Sequence, residues 1–111
     1  MNDVSIKVRK ARWSIAPWEA IAHVVEVFEF GARKYEARGW ETVPDAVTVY
    51  QNAAQRHLAA MFMGEIRDRE SGLLHAAHLA CCALVIAWHQ LRTPPRPEPF
   101  DPHGTGGNLD G

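Results

Sequence analysis

The stretch that decides the fold is Gly64–Cys82, GEIRDRESGLLHAAHLACC, which joins two apolar segments through a charged turn. It contains three acidic residues, two histidines and two adjacent cysteines. Because the turn is short, it predicts that the flanking helices lie antiparallel and that the ionisable groups gather at the closed end of a helical hairpin. A hydrated turn, a structural metal site and a catalytic centre are all compatible with this composition.

Working outward from this turn, apolar residues recur every three or four positions in three segments, which predicts three helices. The first opens at Pro17 and stops near Gly39, and the second runs from about Ala46 to Glu65. The third begins near Ser71 as its N-cap and is apolar almost all round, so we expect it to be the central helix. No strand-like alternation is present. The pattern therefore predicts an all-α fold, a small bundle of three main helices.

Length and composition predict one folded domain, residues 10–92, within the 111-residue chain. Residues 93–111 hold five of the seven prolines and four of the eight glycines, which predicts a disordered tail. The net charge of −1 argues against nucleic acid or an anionic membrane as a partner. No run approaches the roughly 20 apolar residues of a membrane span. Adjacent Cys81 and Cys82 are poorly placed to form a disulfide with each other, and free thiols suit the cytoplasm.

Candidate metal ligands follow from spacing along the helices. His75 and His78 are three residues apart, and Cys82 extends their stripe by four more. The ExxE spacing in the first helix also places two carboxylates on one face, as divalent-cation sites require. The candidate ligands are Glu26, Glu29, Glu65, Asp68, Glu70, His75 and His78. Hydrogen-bonded core histidines beside a hydrated acidic turn would give the same pattern, and a zinc site of His75, His78 and Cys82 is a further alternative.

Four segments together resemble a known family: KARWSIAPWEAI, EFGARKYEARGW, AAQRHLAAMFMGE and DRESGLLHAAHLACC. They are similar to the dATP/dGTP diphosphohydrolase domain of phages and bacteria, one of the MazG-like all-α nucleotide pyrophosphohydrolases. The resemblance covers roughly residues 10–91. It implies hydrolysis of a purine deoxynucleoside triphosphate to the monophosphate and pyrophosphate, with Mg²⁺ or Mn²⁺ as cofactor.

The resemblance also implies roles for individual side chains. The expected catalytic residues are His57, Glu65, Asp68 and Glu70, with His75 and His78 completing or orienting the metal site. The expected substrate-binding residues are Arg33, Lys34 and Arg56 for the phosphates, with Tyr35 and Trp40 stacking on the base. The chain departs from the family pattern at Gly39, Val43 and Cys82, where we expect asparagine, glycine and asparagine.

Two other functions are compatible with the sequence. One is a non-catalytic helical nucleotide-binding or assembly protein built on the same scaffold, and the other is the zinc-binding helical protein described above. A three-helix unit of this size buries little apolar surface by itself. We therefore expect a homo-oligomer, a dimer or a tetramer.

Overall fold

The computed structural model describes residues 10–94 and contains three α-helices. These are α1 (Trp18–Lys34), α2 (Ala46–Phe62) and α3 (His75–Arg92), with short 3₁₀ helices at Trp13–Ile15 and Gly39–Thr42. Residues 10–94 contain no strand beyond one isolated bridge between Arg67 and Leu74, so the all-α prediction is confirmed. From residue 95 onward, the predicted disordered tail lies outside the described range. None of the described helices is long and apolar enough to cross a membrane.

Helix α3 lies at the centre of the fold, as its apolar sequence predicts. It packs against both α1 and α2, and the side chain of Val85 is only 1% exposed. Val24 and Val27 of α1 meet Ala77 and Cys81 of α3 in a buried cluster. Full burial of one aliphatic side chain contributes about 1.5–3 kcal/mol to the free energy of unfolding, so the stability of this small core depends strongly on each of its residues.

Helix α1 ends at Lys34, before the glycine that the sequence suggested as its stop. The Tyr35 N–H still bonds to the Gly31 carbonyl at 2.8 Å, but the Tyr35 backbone is already extended. The chain then turns and places Trp40 against Phe28 and Trp88, with ring centroids 6.0 and 5.0 Å apart. Burying such a large aromatic surface outweighs one more turn of helix.

Helix α2 ends in a Schellman motif at Gly64, whose φ is +89°. The Gly64 N–H donates to the Met61 carbonyl and the Glu65 N–H to the Ala60 carbonyl, both at 3.0 Å. The helix therefore stops at Phe62, slightly before the expected end at Glu65. This motif fixes the direction in which Glu65 leaves the helix.

The expected N-cap at Ser71 is wrong, because α3 begins at His75 with Leu74 as its N-cap. The intervening loop folds on itself: the Asp68 N–H bonds to the Leu73 carbonyl at 2.8 Å and the His75 N–H to the Ile66 carbonyl at 2.9 Å. Ser71 instead donates its backbone N–H to Asp68 Oδ2 at 2.9 Å. Side-chain-to-backbone bonds of this kind compete with helix initiation.

The left-handed backbone at Gly64 predicts a difference between two glycine substitutions. Gly64→Ala should lower the free energy of unfolding by about 1–2 kcal/mol, because a side chain disfavours positive φ. Gly31→Ala, inside α1 and with no atom within 4 Å of the added Cβ, should raise it by about 0.5–1 kcal/mol. Urea unfolding of both variants measures the two effects. Equal changes of the same sign would contradict the assigned role of Gly64.

Candidate functional site

A cluster of ionisable side chains forms where α2, the connecting loop and α3 meet. The rings of His57 and His78 stack with centroids 4.5 Å apart and planes 10° from parallel. The His75 ring centroid lies 5.1 Å from that of His57. Glu65 and Asp68 approach the same histidines from the loop. The structure thus brings together the two histidine-bearing helices and two of the three acidic residues singled out in the turn.

Hydrogen bonds link three of these side chains in series. His75 Nε2 lies 2.7 Å from Glu65 Oε1, and His75 Nδ1 lies 2.9 Å from His57 Nδ1. A carboxylate only accepts, so the network assigns the proton on Nε2 to His75, which donates to Glu65. In neutral His75 the other nitrogen accepts, and His57 Nδ1 donates to it. His75 is 4% exposed, so this series supplies both partners of a buried imidazole.

A second group of bonds holds Asp68 and His78. Asp68 Oδ2 accepts the Ser71 N–H at 2.9 Å, and Ser71 Oγ lies 2.7 Å from His78 Nε2. The same Oγ accepts the Leu73 N–H at 3.1 Å, which orients its proton toward His78. His78 Nε2 lies 3.9 Å from Asp68 Oδ2. Ser71 therefore contacts both Asp68 and His78 and does not cap α3.

The environment shifts the ionisation of this cluster. Desolvation, together with the neighbouring histidines, lowers the pKa of His57, and desolvation also lowers the pKa of His78. The hydrogen bond with His75 lowers the pKa of Glu65. Desolvation acts to raise the pKa of Asp68, but the bonds from Ser71 outweigh it and leave that pKa lowered. At neutral pH the carboxylates are charged, and His57 and His78 are neutral.

Within residues 10–94, one group of side chains has the closeness that a metal ion requires. His57, Asp68 and His75 each offer a ligand atom, and these atoms lie within 4.8 Å of one another. Neutral imidazoles and an ionised carboxylate are the forms that bind metals. This donor set fits a divalent cation. Cys82 lies outside the group, and burial raises the pKa of its thiol.

Three of the remaining predicted carboxylate ligands have other partners. Glu65 accepts from His75 and, through Oε2, from Arg69 at 2.9 Å. Glu70 accepts from Lys34 Nζ at 2.5 Å. Glu26 and Glu29 are exposed on α1, where Glu26 lies 3.4 Å from His23. Metal binding by these four carboxylates stays a prediction.

A cleft of about 570 Å³ borders the histidine cluster. Its lining includes His57 and His78 together with the aromatic residues Phe28, Trp40 and Tyr50. A cleft of this size suits a small organic ligand. Tyr50 was missed at the sequence level, although Tyr50, Ala53 and His57 are spaced to share one face of α2.

The predicted substrate residues divide between this cleft and the surface. Lys34, Tyr35 and Trp40 line the cleft, and the hydrogen bond with Glu70 raises the pKa of Lys34. Arg33 and Arg56 have exposed side chains on α1 and α2. The positions that depart from the family pattern all line the cleft; they are Gly39, Val43 and Cys82.

One face of Trp40 is not open to a ligand. The Arg38 guanidinium lies 4.7 Å from its ring centroid, and the ring edge meets Trp88. Trp40 therefore serves as a cleft wall, and its stacking on a base stays a prediction.

The lowered histidine pKa values predict acid sensitivity in metal-free buffer. Below pH 6.5, the usual pKa of histidine, His57 and His78 bind more protons in the unfolded chain than in the folded chain, where their pKa values are lowered. The free energy of unfolding should therefore be highest above that pH and fall as the pH drops through it. The free energy of unfolding should fall further below pH 4.5, the usual pKa of a glutamate carboxyl, because Glu65 is then protonated. Urea unfolding midpoints measured at a series of pH values test this pH dependence. The substitution His57→Gln should reduce the fall in stability near pH 6.5. A flat profile between pH 7.5 and 5.5 would contradict it.

Comparison with known proteins identifies the family. The family described as "dATP/dGTP diphosphohydrolase, N-terminal" matches residues 3–96, a span that includes α1, α2, α3 and the whole histidine cluster. No curated protein and no solved structure matches the chain. Because the match covers most of the sequence, the chain belongs to the family of dATP/dGTP diphosphohydrolase N-terminal domains.

Proposed function

We propose that this chain hydrolyses a purine deoxynucleoside triphosphate to the monophosphate and pyrophosphate, assisted by a divalent cation. The observation that carries the proposal is that His57 and His78 line the aromatic cleft and also lie against His75 and Asp68 of the candidate metal cluster. A nucleotide has a planar base with aromatic faces at one end and charged phosphates at the other. The lining of the cleft includes both aromatic and ionisable side chains.

The aromatic part of the cleft supports base binding. Tyr50 and Phe28 supply apolar walls, and packing on Trp88 holds Trp40 in place. Aromatic walls suit a purine ring because they add apolar contact without requiring hydrogen bonds. Gly39 and Val43 line this region, so we propose that they tune the choice of base.

Lys34, which also lines the cleft, would supply positive charge for the phosphates. Its ammonium is paired with exposed Glu70. A bound triphosphate would compete with Glu70 for Lys34, and neutralising phosphate charge is a large part of catalysis in phosphoryl transfer.

The cluster supplies the groups that the reaction needs. A cation held by His57, Asp68 and His75 would supply Lewis-acid chemistry and an activated water. In the proposed reaction a water oxygen would attack the α-phosphorus, and the bond from the α-phosphorus to the bridging oxygen would break, releasing pyrophosphate. His78 Nε2 would take the water's proton in place of the hydrogen bond that it accepts from Ser71 Oγ. A proton on His78 Nε2 would lie near Asp68 Oδ2, 3.9 Å away, whose charge stabilises the imidazolium.

The test is hydrolysis of each deoxynucleoside triphosphate with Mg²⁺ or Mn²⁺, with nucleotide and pyrophosphate products resolved. Asp68→Asn and His78→Gln should each lower kcat/KM by about 100-fold or more, as expected for loss of a metal ligand or general base. Glu19→Gln, exposed in the first turn of α1, is the control and should match the wild type. If Glu26 or Glu29 also binds the cation, its Gln variant loses activity as well.

Two outcomes would contradict the proposal. Triphosphate binding by calorimetry without any product, and without dependence on metal, would indicate the non-catalytic binding protein instead. Release of inorganic phosphate without pyrophosphate would indicate a different phosphohydrolase.

We also propose that the chain assembles with a second copy of itself. Helix α2 exposes Leu58, Met61 and Phe62, with the Phe62 side chain 84% exposed, and α3 exposes Leu84 and Leu91. Large exposed apolar residues on two packed helices are typical of an interaction surface. A second copy would cover this surface and add apolar burial to a small core.

Sedimentation tests the assembly. The wild type should sediment as a dimer or larger at micromolar concentration, and Phe62→Ser should shift it toward monomer because a polar side chain weakens apolar contact. Ile15→Ser, at an exposed position in the first 3₁₀ helix, is the control and should leave the assembly intact. A wild-type monomer would contradict the proposal.

A further inference from the structure

We infer that His57, Asp68 and His75 form a site selective for a first-row transition cation over Mg²⁺, and that Glu65 positions His75 for it. This builds on the proposed function by naming the class of cation, and the binding itself can be measured without turnover. It assigns the carboxylates of the turn two different tasks. Asp68 contacts the cation, and Glu65 acts through a histidine.

The donor atoms support a nitrogen-rich site. The three ligand atoms lie within 4.8 Å of one another, and two of the three are imidazole nitrogens. Metal–ligand bonds of about 2.0–2.3 Å place two ligands of one ion no more than about 4.6 Å apart, so little adjustment is needed. Mg²⁺ prefers oxygen ligands and retains its waters, whereas imidazole suits the first-row transition metals.

The contact between the two histidines adds a barrier against Mg²⁺. His57 Nδ1 and His75 Nδ1 lie 2.9 Å apart, and two lone pairs cannot face each other at that distance without a proton or a cation. In the absence of a cation, the hydrogen bond satisfies both rings. A cation must offer two strong bonds to nitrogen to replace it. A transition cation does so, and Mg²⁺ gains too little from nitrogen ligands to compete.

Glu65 is placed to support the ligand and is poorly placed to bind the ion itself. Oε1 accepts from His75 Nε2 at 2.7 Å and Oε2 accepts from Arg69 Nε at 2.9 Å, so both oxygens are already engaged. A carboxylate bonded to the distal nitrogen of a histidine fixes the ring and raises its basicity as a metal ligand. The Schellman motif at Gly64 holds Glu65 in this position.

The test uses the full chain, stripped of metal with a chelator and free of nucleotide, titrated separately with Co²⁺ and Mg²⁺. Calorimetry gives the affinities, and visible absorption of bound Co²⁺ reports its ligands. Co²⁺ should bind once per chain and about 100-fold or more tightly than Mg²⁺. His57→Gln and Asp68→Asn should each weaken Co²⁺ binding by about 100-fold. Removal of a direct ligand should reduce the affinity at least as much as removal of a residue that only hydrogen-bonds to a ligand.

Glu65→Gln separates positioning from ligation. It should weaken Co²⁺ by about 10–100-fold, the range for loss of a supporting carboxylate, while the absorption bands keep their wavelengths because the ligands are unchanged. The control His23→Gln, on the surface of α1, should bind as the wild type does. A band shift in Glu65→Gln would show that Glu65 is itself a ligand and overturn its positioning role.

The site is refuted if wild-type Co²⁺ binds no more tightly than Mg²⁺, or if His57→Gln and Asp68→Asn both bind Co²⁺ as His23→Gln does. The wild-type comparison requires no variant to fold, so it stands even if a substitution destabilises the chain. Selective Co²⁺ binding without hydrolysis of any triphosphate would leave this site intact and reject the proposed function. Hydrolysis of a triphosphate by a chain that binds Mg²⁺ and Co²⁺ equally tightly would support the proposed function and reject the selective site.

Discussion

The hydrogen bond between His75 and Glu65 is the interaction on which the candidate site depends. His75 is the one buried polar side chain that residues 10–94 contain, and it is also the first residue of α3. Leaving a buried polar group unpaired costs about 1–3 kcal/mol, a large part of the stability of a small domain. The bond ties the residue that leaves α2 to the residue that begins α3. The same bond that stabilises the hairpin also orients the imidazole toward His57.

The cleft depends on a different constraint, the early end of α1. Because the chain turns after Lys34, Trp40 can pack between Phe28 and Trp88 and form a wall that a longer helix would not provide. Lys34, the last residue of α1, lines the cleft and pairs with Glu70. The aromatic cleft and the ionisable cluster therefore come from separate parts of the sequence and meet at His57 and His78. The proposed nucleotide hydrolysis depends on this meeting of the aromatic cleft with the ionisable cluster.

Much of this arrangement follows from helical spacing alone. The three-residue step from His75 to His78 predicts that the two rings share one face of the third helix, beside the acidic turn. The details of the turn do not follow from spacing, because they depend on side-chain-to-backbone bonds. Ser71 is of a residue type that is preferred at N-caps, yet it forms hydrogen bonds with Asp68 and His78. The pairing of Glu65 with His75 likewise depends on the direction of the chain after Gly64, and helical periodicity does not predict that direction.

A crystal structure of the chain with Mn²⁺ and a purine deoxynucleoside triphosphate analogue that resists cleavage at the α-phosphorus tests the central claim most directly. We expect an anomalous Mn²⁺ peak among His57, Asp68 and His75, with the α-phosphate beside it. The base should lie in the cleft near Tyr50. A peak at Glu26 and Glu29 alone, or a nucleotide bound away from the cleft, would contradict it.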